Sequence, residues 1–359
     1  MKKIFPLILL VAVMLGCKKD NVDPPEDKQT ETTIAEDKQN IKTSFDQLSS
    51  CITQIRDSEG ADAITDFLNL SDGDVMSEDW VLKVIDSLVT KLDFADINDN
   101  NQFNFAANAG TYTWDATLGD YGRSSLPTDK IIVIFPSKES VNSTNNSTLT
   151  LSGFDDTPVL IDGMTYHLPT AAKASLVVDG VEIFSVDATA AYSAPIPISL
   201  NVAVKLKPFT YTITGNRVAP TKFNAGLTIN NGSGCNTSVT FDVEFLHSDY
   251  YTMDLEKDVK AITATLVHNN LKVVTVANME SLGAISDPTV SQINSHIKSN
   301  VYYGDVKVAE LILYEEANDD LSVRIIYKDG SEENTSVYYE PFIENLETIL
   351  GTHSGEINL

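Results

Sequence analysis

The chain has 359 residues, 42% of them hydrophobic, and a formal charge of −26 from 51 acidic residues against 25 Lys and Arg. Nucleic acid and anionic headgroups both demand basic patches, so this balance argues against either as an electrostatic partner. Length and apolar content fit a globular protein of one large domain or two smaller ones, kept soluble by its acidity.

The first element in chain order is a short apolar run. Lys2 and Lys3 precede Ile4–Leu15, which is apolar except for Pro6, and Gly16-Cys17 ends the run before Lys18, Lys19 and Asp20. These 12 residues fall short of the roughly 20 that span a hydrocarbon core. A basic start, a short apolar stretch and a small-residue exit form the layout of a secretory signal. Val13-Met14-Leu15-Gly16-Cys17 resembles the lipobox of bacterial lipoproteins, whose signal is cut before a cysteine that becomes acylated. Met14 and Leu15 depart from the Leu and the small residue usual at those places, while Gly16 and Cys17 match. The resemblance implies a signal peptide over residues 1–16 and lipid attachment at Cys17, with the membrane as a partner through the acyl chains. Each buried methylene of such a chain adds about 0.8 kcal/mol. Loss of Lys2 and Lys3 with the signal leaves a charge of −28. Lys18-Lys19-Asp20 is similar to the Lys-plus-acid export signals of Bacteroidota surface lipoproteins, with Asn21 in place of a second acid. That likeness implies an outer-membrane location, facing the periplasm or the cell surface.

Residues 17–38 are charged, contain Pro24-Pro25 and carry almost no large apolar side chain, which reads as a flexible acidic tether. As a coil it reaches roughly 25 Å, about 5–6 Å times the square root of its length. A helical segment over 39–108 follows. Ile41, Phe45, Leu48, Ile52 and Ile55 form one apolar stripe, a shorter piece holds Ile64, Phe67 and Leu68, and Ser77 suits the N-cap of a third helix. That third helix carries Val81, Val84, Ile85, Leu88, Val89 and Leu92 on one side.

From about Gly110 the period changes to two, and residues 109–359 read as a β-rich domain. TYTW, IIVIF and TLTL come first, then ASLVVDGVEIF, a hairpin about Asp179-Gly180. Alternation continues over Ile198–Leu206, Val239–Phe245, ITATLV and LKVVTV, with turns at Asn269-Asn270 and Lys328-Asp329-Gly330. Asp287-Pro288 fits the start of a helix over 288–298, and Pro341 opens another over 341–350. Strands in a long run with helices segregated from them give an α+β class: N-terminal helices, a large antiparallel sheet that can curve, and late helices. GTYTWDATLGDY, DKIIVIFPS and NNSTLTL are similar to segments of uncharacterised Bacteroidota lipoproteins over roughly residues 40–250, a likeness that brings no activity.

Chemistry-bearing residues are sparse. Asp96, Asn98 and Asn100 hold the first, third and fifth places of a calcium loop. Asn101 replaces its glycine, however, and Ala107 its bidentate Glu, so the segment is only a weak candidate. His167, His247, His268, His296 and His353 are scattered, and no HExxH, GxSxG or Walker-type loop occurs. Cys51 falls on the polar side of the predicted helix and Cys235 in an NNGSGC turn, which reads as two independent cysteines in a compartment that permits a bridge. Tyr112, Trp114 and Tyr121 cluster near the first strand and are candidate ligand contacts, although strand propensity alone accounts for them. The reading is therefore a lipid-anchored envelope protein, not an enzyme, binding an apolar molecule or glycan on its sheet without a cofactor. A surface adhesin or complex accessory with a protein partner is the alternative, and a hydrolase with an unrecognised carboxylate site the next.

Overall fold

The computed structural model describes residues 32–56, 58, 103–137, 143–161, 163–193, 197–255, 257–316, 321–335 and 338. These form an α+β fold, in chain order α1 (Ile34–Arg56), α2 (Phe105–Asn108), β1 (Gly110–Asp115), β2 (Asp120–Ser124) and β3 (Ile131–Phe135). The long strands β4 (Ser147–Ile161), β5 (Met164–Val178), β6 (Val181–Tyr192), β7 (Pro197–Leu206) and β8 (Phe209–Ala219) follow. Then come β9 (Lys222–Asn230), β10 (Asn236–Phe245), β11 (Val259–His268), β12 (Leu271–Asn278), α3 (Met279–Gly283) and α4 (Val290–His296). The last are β13 (Ile297–Tyr303), β14 (Val306–Glu315), β15 (Leu321–Tyr327) and β16 (Glu332–Asn334). The helix expected over 341–350, like residues 57 and 59–102 of the helical segment, lies outside the described residues. Two compact units divide the chain, residues 56–212 and residues 1–55 with 213–359, and the division falls inside β8.

In the 56–212 unit the strand order is β7-β6-β5-β4-β3-β1-β2. All neighbours are antiparallel except β1 and β3, which run parallel from Gly110 opposite Ile131 to Thr113 opposite Ile134. The sheet is thus mixed rather than wholly antiparallel, because β2 occupies the hairpin edge of β1 and β3 must take the other. Alternate residues build the core: Tyr112 and Trp114 from β1, Tyr121 from β2, Ile131, Val133 and Phe135 from β3, and Leu176 from β5. Tyr112 donates its hydroxyl to the Asn108 carbonyl at 2.9 Å. Arg123 Nη2 donates to the Ala107 and Ala109 carbonyls, satisfying acceptors that the end of α2 leaves open. Asp179 and Gly180 turn the β5–β6 hairpin with φ of 50° and 80°, the geometry expected of that dipeptide.

In the other unit the order is β16-β15-β14-β13-β12-β11-β10-β9, antiparallel throughout. Its register aligns apolar residues across strands: Val239, Leu266, Val273, Val301, Ala309 and Tyr327 form one row of facing pairs. Ile41 of α1 packs into this cluster. Thr33 caps the helix reciprocally with Glu36: Thr33 N donates to Glu36 Oε2 at 2.7 Å and Glu36 N to Thr33 Oγ1 at 3.3 Å. The cap starts the helix at Ile34, so residues 34–38 are helical rather than part of a flexible tether. Its buried residues are Asp37, Ile41, Ser44, Leu48 and Cys51. Ile41 and Leu48 belong to the stripe read from the sequence, Phe45 packs partly buried against the same cluster, and Ser44 and Cys51 widen the buried side beyond that stripe.

Contacts along α1 show its course. Lys328 Nζ lies 3.0 Å from Asp37 Oδ2, Asn269 Nδ2 donates to Gln47 Oε1 at 3.0 Å, and Asn231 Nδ2 donates to Gln54 Oε1 at 3.0 Å. Those partners sit in the β15–β16, β11–β12 and β9–β10 turns, so the helix crosses the strands beside one row of turns. Six strand spacings of about 4.8 Å make about 29 Å. The seventeen residues from Asp37 to Gln54 make about 26 Å at 1.5 Å each, which matches.

Cys51 and Cys235 form a disulfide with Cα atoms 5.3 Å apart, correcting the reading as independent thiols. Cys51 is on the buried side of α1, which brings it over the β9–β10 turn. The late helix also shifts. Thr289, not Asp287, is its N-cap, with Gln292 completing a capping box, and Ile297 already begins β13. Asp287 instead sits at φ 50° in the preceding turn.

His268 is fully buried, its Nδ1 2.8 Å from Thr237 Oγ1 and its Nε2 accepting from Asn269 Nδ2 at 3.2 Å. Burial holds its pKa below the usual 6.5. The unfolded chain then binds the extra proton first, so stability is complete above about pH 6.5 and falls as pH drops toward the depressed folded value. The expected result is a melting temperature that declines from pH 7 to pH 5, with a smaller decline in His268→Gln. Identical pH profiles for the two proteins would refute it.

Candidate functional site

The long strands of the 56–212 unit separate their side chains into two unlike faces. On one, the register sets Leu151, Ala174, Val186 and Val204 in a row, and Phe154, Ala172, Ala188 and Val202 in the next. Ala190 opposite Leu200 extends it. The opposite face carries Ser175, Ser185 and Lys205, then Lys173 paired with Asp187, then Thr189 and Asn201. Period-two alternation creates this split, and four registered strands turn it into a surface.

No residue of β6 or β7 is fully buried, and on the apolar face Ala172, Ala174, Val186, Ala188, Ala190, Leu200, Val202 and Val204 are all half-buried. With about 6.8 Å between alternate residues and 4.8 Å between strands, those rows cover on the order of 300 Å². A patch of that size is at the scale of functional apolar surfaces on soluble proteins. One end of the face joins the core through Leu149, Leu176 and Phe184. Phe103 stands edge-on to Phe154 with ring centroids 5.6 Å apart. Small side chains, the four alanines, lie between these bulky residues and the valines of β7.

The aromatic candidates lie elsewhere. Tyr112, Trp114 and Tyr121 are 0%, 4% and 3% exposed. They are core side chains rather than open stacking platforms, Trp114 packing edge-on against Tyr121 at 5.3 Å. Burial pushes the Tyr112 and Tyr121 phenols up, so both stay protonated. Trp114 and Tyr121 nonetheless contribute to the wall of a shallow concavity of about 540 Å³, together with Thr113, Asp115, Leu118 and Asp120 among others. Asp115 is committed to its own turn, accepting from Thr117 N at 2.8 Å and Leu118 N at 3.1 Å. Asp120 accepts from Tyr121 N at 2.7 Å.

Cys17 and the weak calcium candidates Asp96, Asn98 and Asn100 lie outside the described residues. His353 lies outside the described residues, and among the described residues the other histidines do not converge. His167 Nδ1 contacts Asp156 at 2.8 Å, His247 pairs with Asp258, His268 is the buried group above, and His296 ends α4. Glu244 shares no site with His247; its carboxylate is held below the usual range by the ammonium groups of Lys260 and Lys222. Among the described residues no cluster of three His, Cys, Asp or Glu could hold a metal, and no helix is long and apolar enough to cross a membrane. The apolar face was missed from sequence because its alanines are too small to register as a pattern. Only the strand register brings Ala172 beside Ala188. No family model, curated protein or solved structure matches the chain.

Proposed function

We propose that the protein is a lipid-anchored envelope protein, acylated at Cys17, that binds an apolar molecule non-catalytically on the face formed by β4 to β7. The observation that carries this reading is the pair of unbroken apolar rows across those strands, only half-buried and backed by a polar face. Of the apolar and glycan readings, the face supports the apolar one: it offers van der Waals area and alanines low enough to admit a chain, with few hydrogen-bonding groups. Acylation at Cys17 would place this surface in the cell envelope.

The test is titration of the mature protein with cis-parinaric acid, a fluorescent fatty acid. Saturable binding is expected, and Ala188→Asp should abolish it while circular dichroism stays that of the parent, since the aspartate lands on a half-buried position that water still reaches. Binding untouched by Ala188→Asp, or no binding at all, would sink the proposal. Metabolic labelling with an alkyne fatty acid tests the anchor, and Cys17→Ser is expected to lose the label.

A further inference from the structure

The apolar face of β4 to β7 continues into a polar pair. Residues 153–161 of β4 pair with β5 without a gap, so Asp156 follows Phe154 on the same face. The next residue of that face, Pro158, is registered opposite His167, and His167 Nδ1 lies 2.8 Å from Asp156 Oδ1. The pair therefore sits about 6.8 Å beyond the row of Phe154, Ala172, Ala188 and Val202. Both side chains are largely enclosed, His167 16% and Asp156 13% exposed. An ionised carboxylate can only accept, so in the neutral ring Nδ1 carries the proton and Nε2 presents a lone pair. Among the described residues Nε2 has no partner.

We propose that His167 receives the head of the bound ligand, and that this ligand is a hydroxyl-headed single-chain lipid such as a long-chain alcohol or monoacylglycerol. The proposal rests on the apolar binding put forward above and is independent of the anchor. The hydroxyl donates to Nε2 while the chain lies over Phe154, Ala172, Ala188 and Val202. The four strands span about 14 Å, room for one extended chain. Charge selects against an acid head. The two basic side chains of these strands, Lys173 and Lys205, stand on the opposite face, and Asp156 repels a carboxylate placed beside His167. A fatty acid still binds through its chain, less tightly than the alcohol. Asp156 is a positioning residue that fixes the ring and its tautomer. Apolar ligand sites commonly work this way, with a few polar groups setting orientation against apolar walls.

Displacement of diphenylhexatriene, a fluorescent hydrocarbon without a headgroup, tests the assignment on the mature chain with Cys17→Ser, which carries no acyl chain of its own. The competitors are 1-dodecanol and dodecyl methyl ether, which share a chain but differ in the hydroxyl proton. The ratio of displacing concentrations, ether over alcohol, is expected to fall about five-fold in His167→Phe, the loss of one hydrogen bond. The double variant Asp156→Leu/His167→Phe leaves no carboxylate without its partner and is expected to give the same fall, which covers a single variant that fails to fold. A ratio unchanged from the parent in either folded variant would overturn the headgroup site and leave the apolar binding intact. Diphenylhexatriene that does not bind the parent, or binds Ala188→Asp equally well, would overturn the apolar binding and the headgroup site with it.

Discussion

Replacing Cys51 and Cys235 together by serine is expected to lower the melting temperature by more than 10 °C. The bridge closes a loop of 184 residues. Chain-entropy reasoning assigns about 5 kcal/mol to a loop of that length, and native disulfides typically contribute 2–5 kcal/mol. A change of 1 kcal/mol moves the transition of a domain of 150–250 residues by about 2–4 °C. Both cysteines are buried, so the double serine variant also leaves two buried hydroxyls to be satisfied. Differential scanning calorimetry of parent and variant, with free thiols counted on the unfolded parent, gives the result. A shift under about 2 °C would show that the bridge does not constrain the unfolded chain as the entropy model requires.

Lys328→Met is expected to destabilise the protein by about 2–3 kcal/mol, because it strips the charge partner from a buried carboxylate. Asp37 is 0% exposed, and neither of its oxygens accepts a hydrogen bond within the described residues, so the 3.0 Å contact with Lys328 is an ion pair and little else. A fully buried pair broken in this way costs about 3–5 kcal/mol. The Lys328 side chain is 40% exposed, so water reaches the site and the expected loss is smaller. The first turn of α1 adds a favourable dipole at Asp37, which Lys328→Met leaves in place. Asp37→Leu removes the desolvation cost along with the attraction and is expected to be near neutral. Urea denaturation of the two single variants and their double gives the cycle. Equal losses from Lys328→Met and Asp37→Leu would refute this account of the pair.

The fold was legible where one period dominates. TYTW, IIVIF, ISLNVAVKL and LKVVTV all fall in strands, and Asp179-Gly180 turns its hairpin because only a dipeptide tolerant of positive φ fits there. Alternation marks a strand but says nothing about which strand lies beside it, which is why the parallel β1–β3 pair escaped. The same gap hid the apolar face, whose alanines gain meaning only when registered against Val202 and Leu200. On α1, Ile41, Phe45 and Leu48 pack inward as their spacing indicates, and Ser44 and Cys51 join them because the helix is fixed by turn residues, a tertiary constraint that residue polarity alone does not disclose. The Thr289 to Gln292 capping box was present in the sequence but lay beside a proline that suggested an earlier start.

The fastening of α1 also sets how the protein answers a mechanical pull. Force applied at Thr32 loads the Lys328 contacts first, since among the described residues they are the first fixed points inward. If they yield, the helix can peel away turn by turn, each residue lengthening from about 1.5 Å to about 3.4 Å. Peeling stops at Cys51, where a covalent bond holds the chain to Cys235. The seventeen residues from Ile34 to Cys51 would then pay out about 32 Å of slack. Under shear, α1 becomes an extensible lead with a hard stop, and the strands beneath it bear load only after that stop is reached.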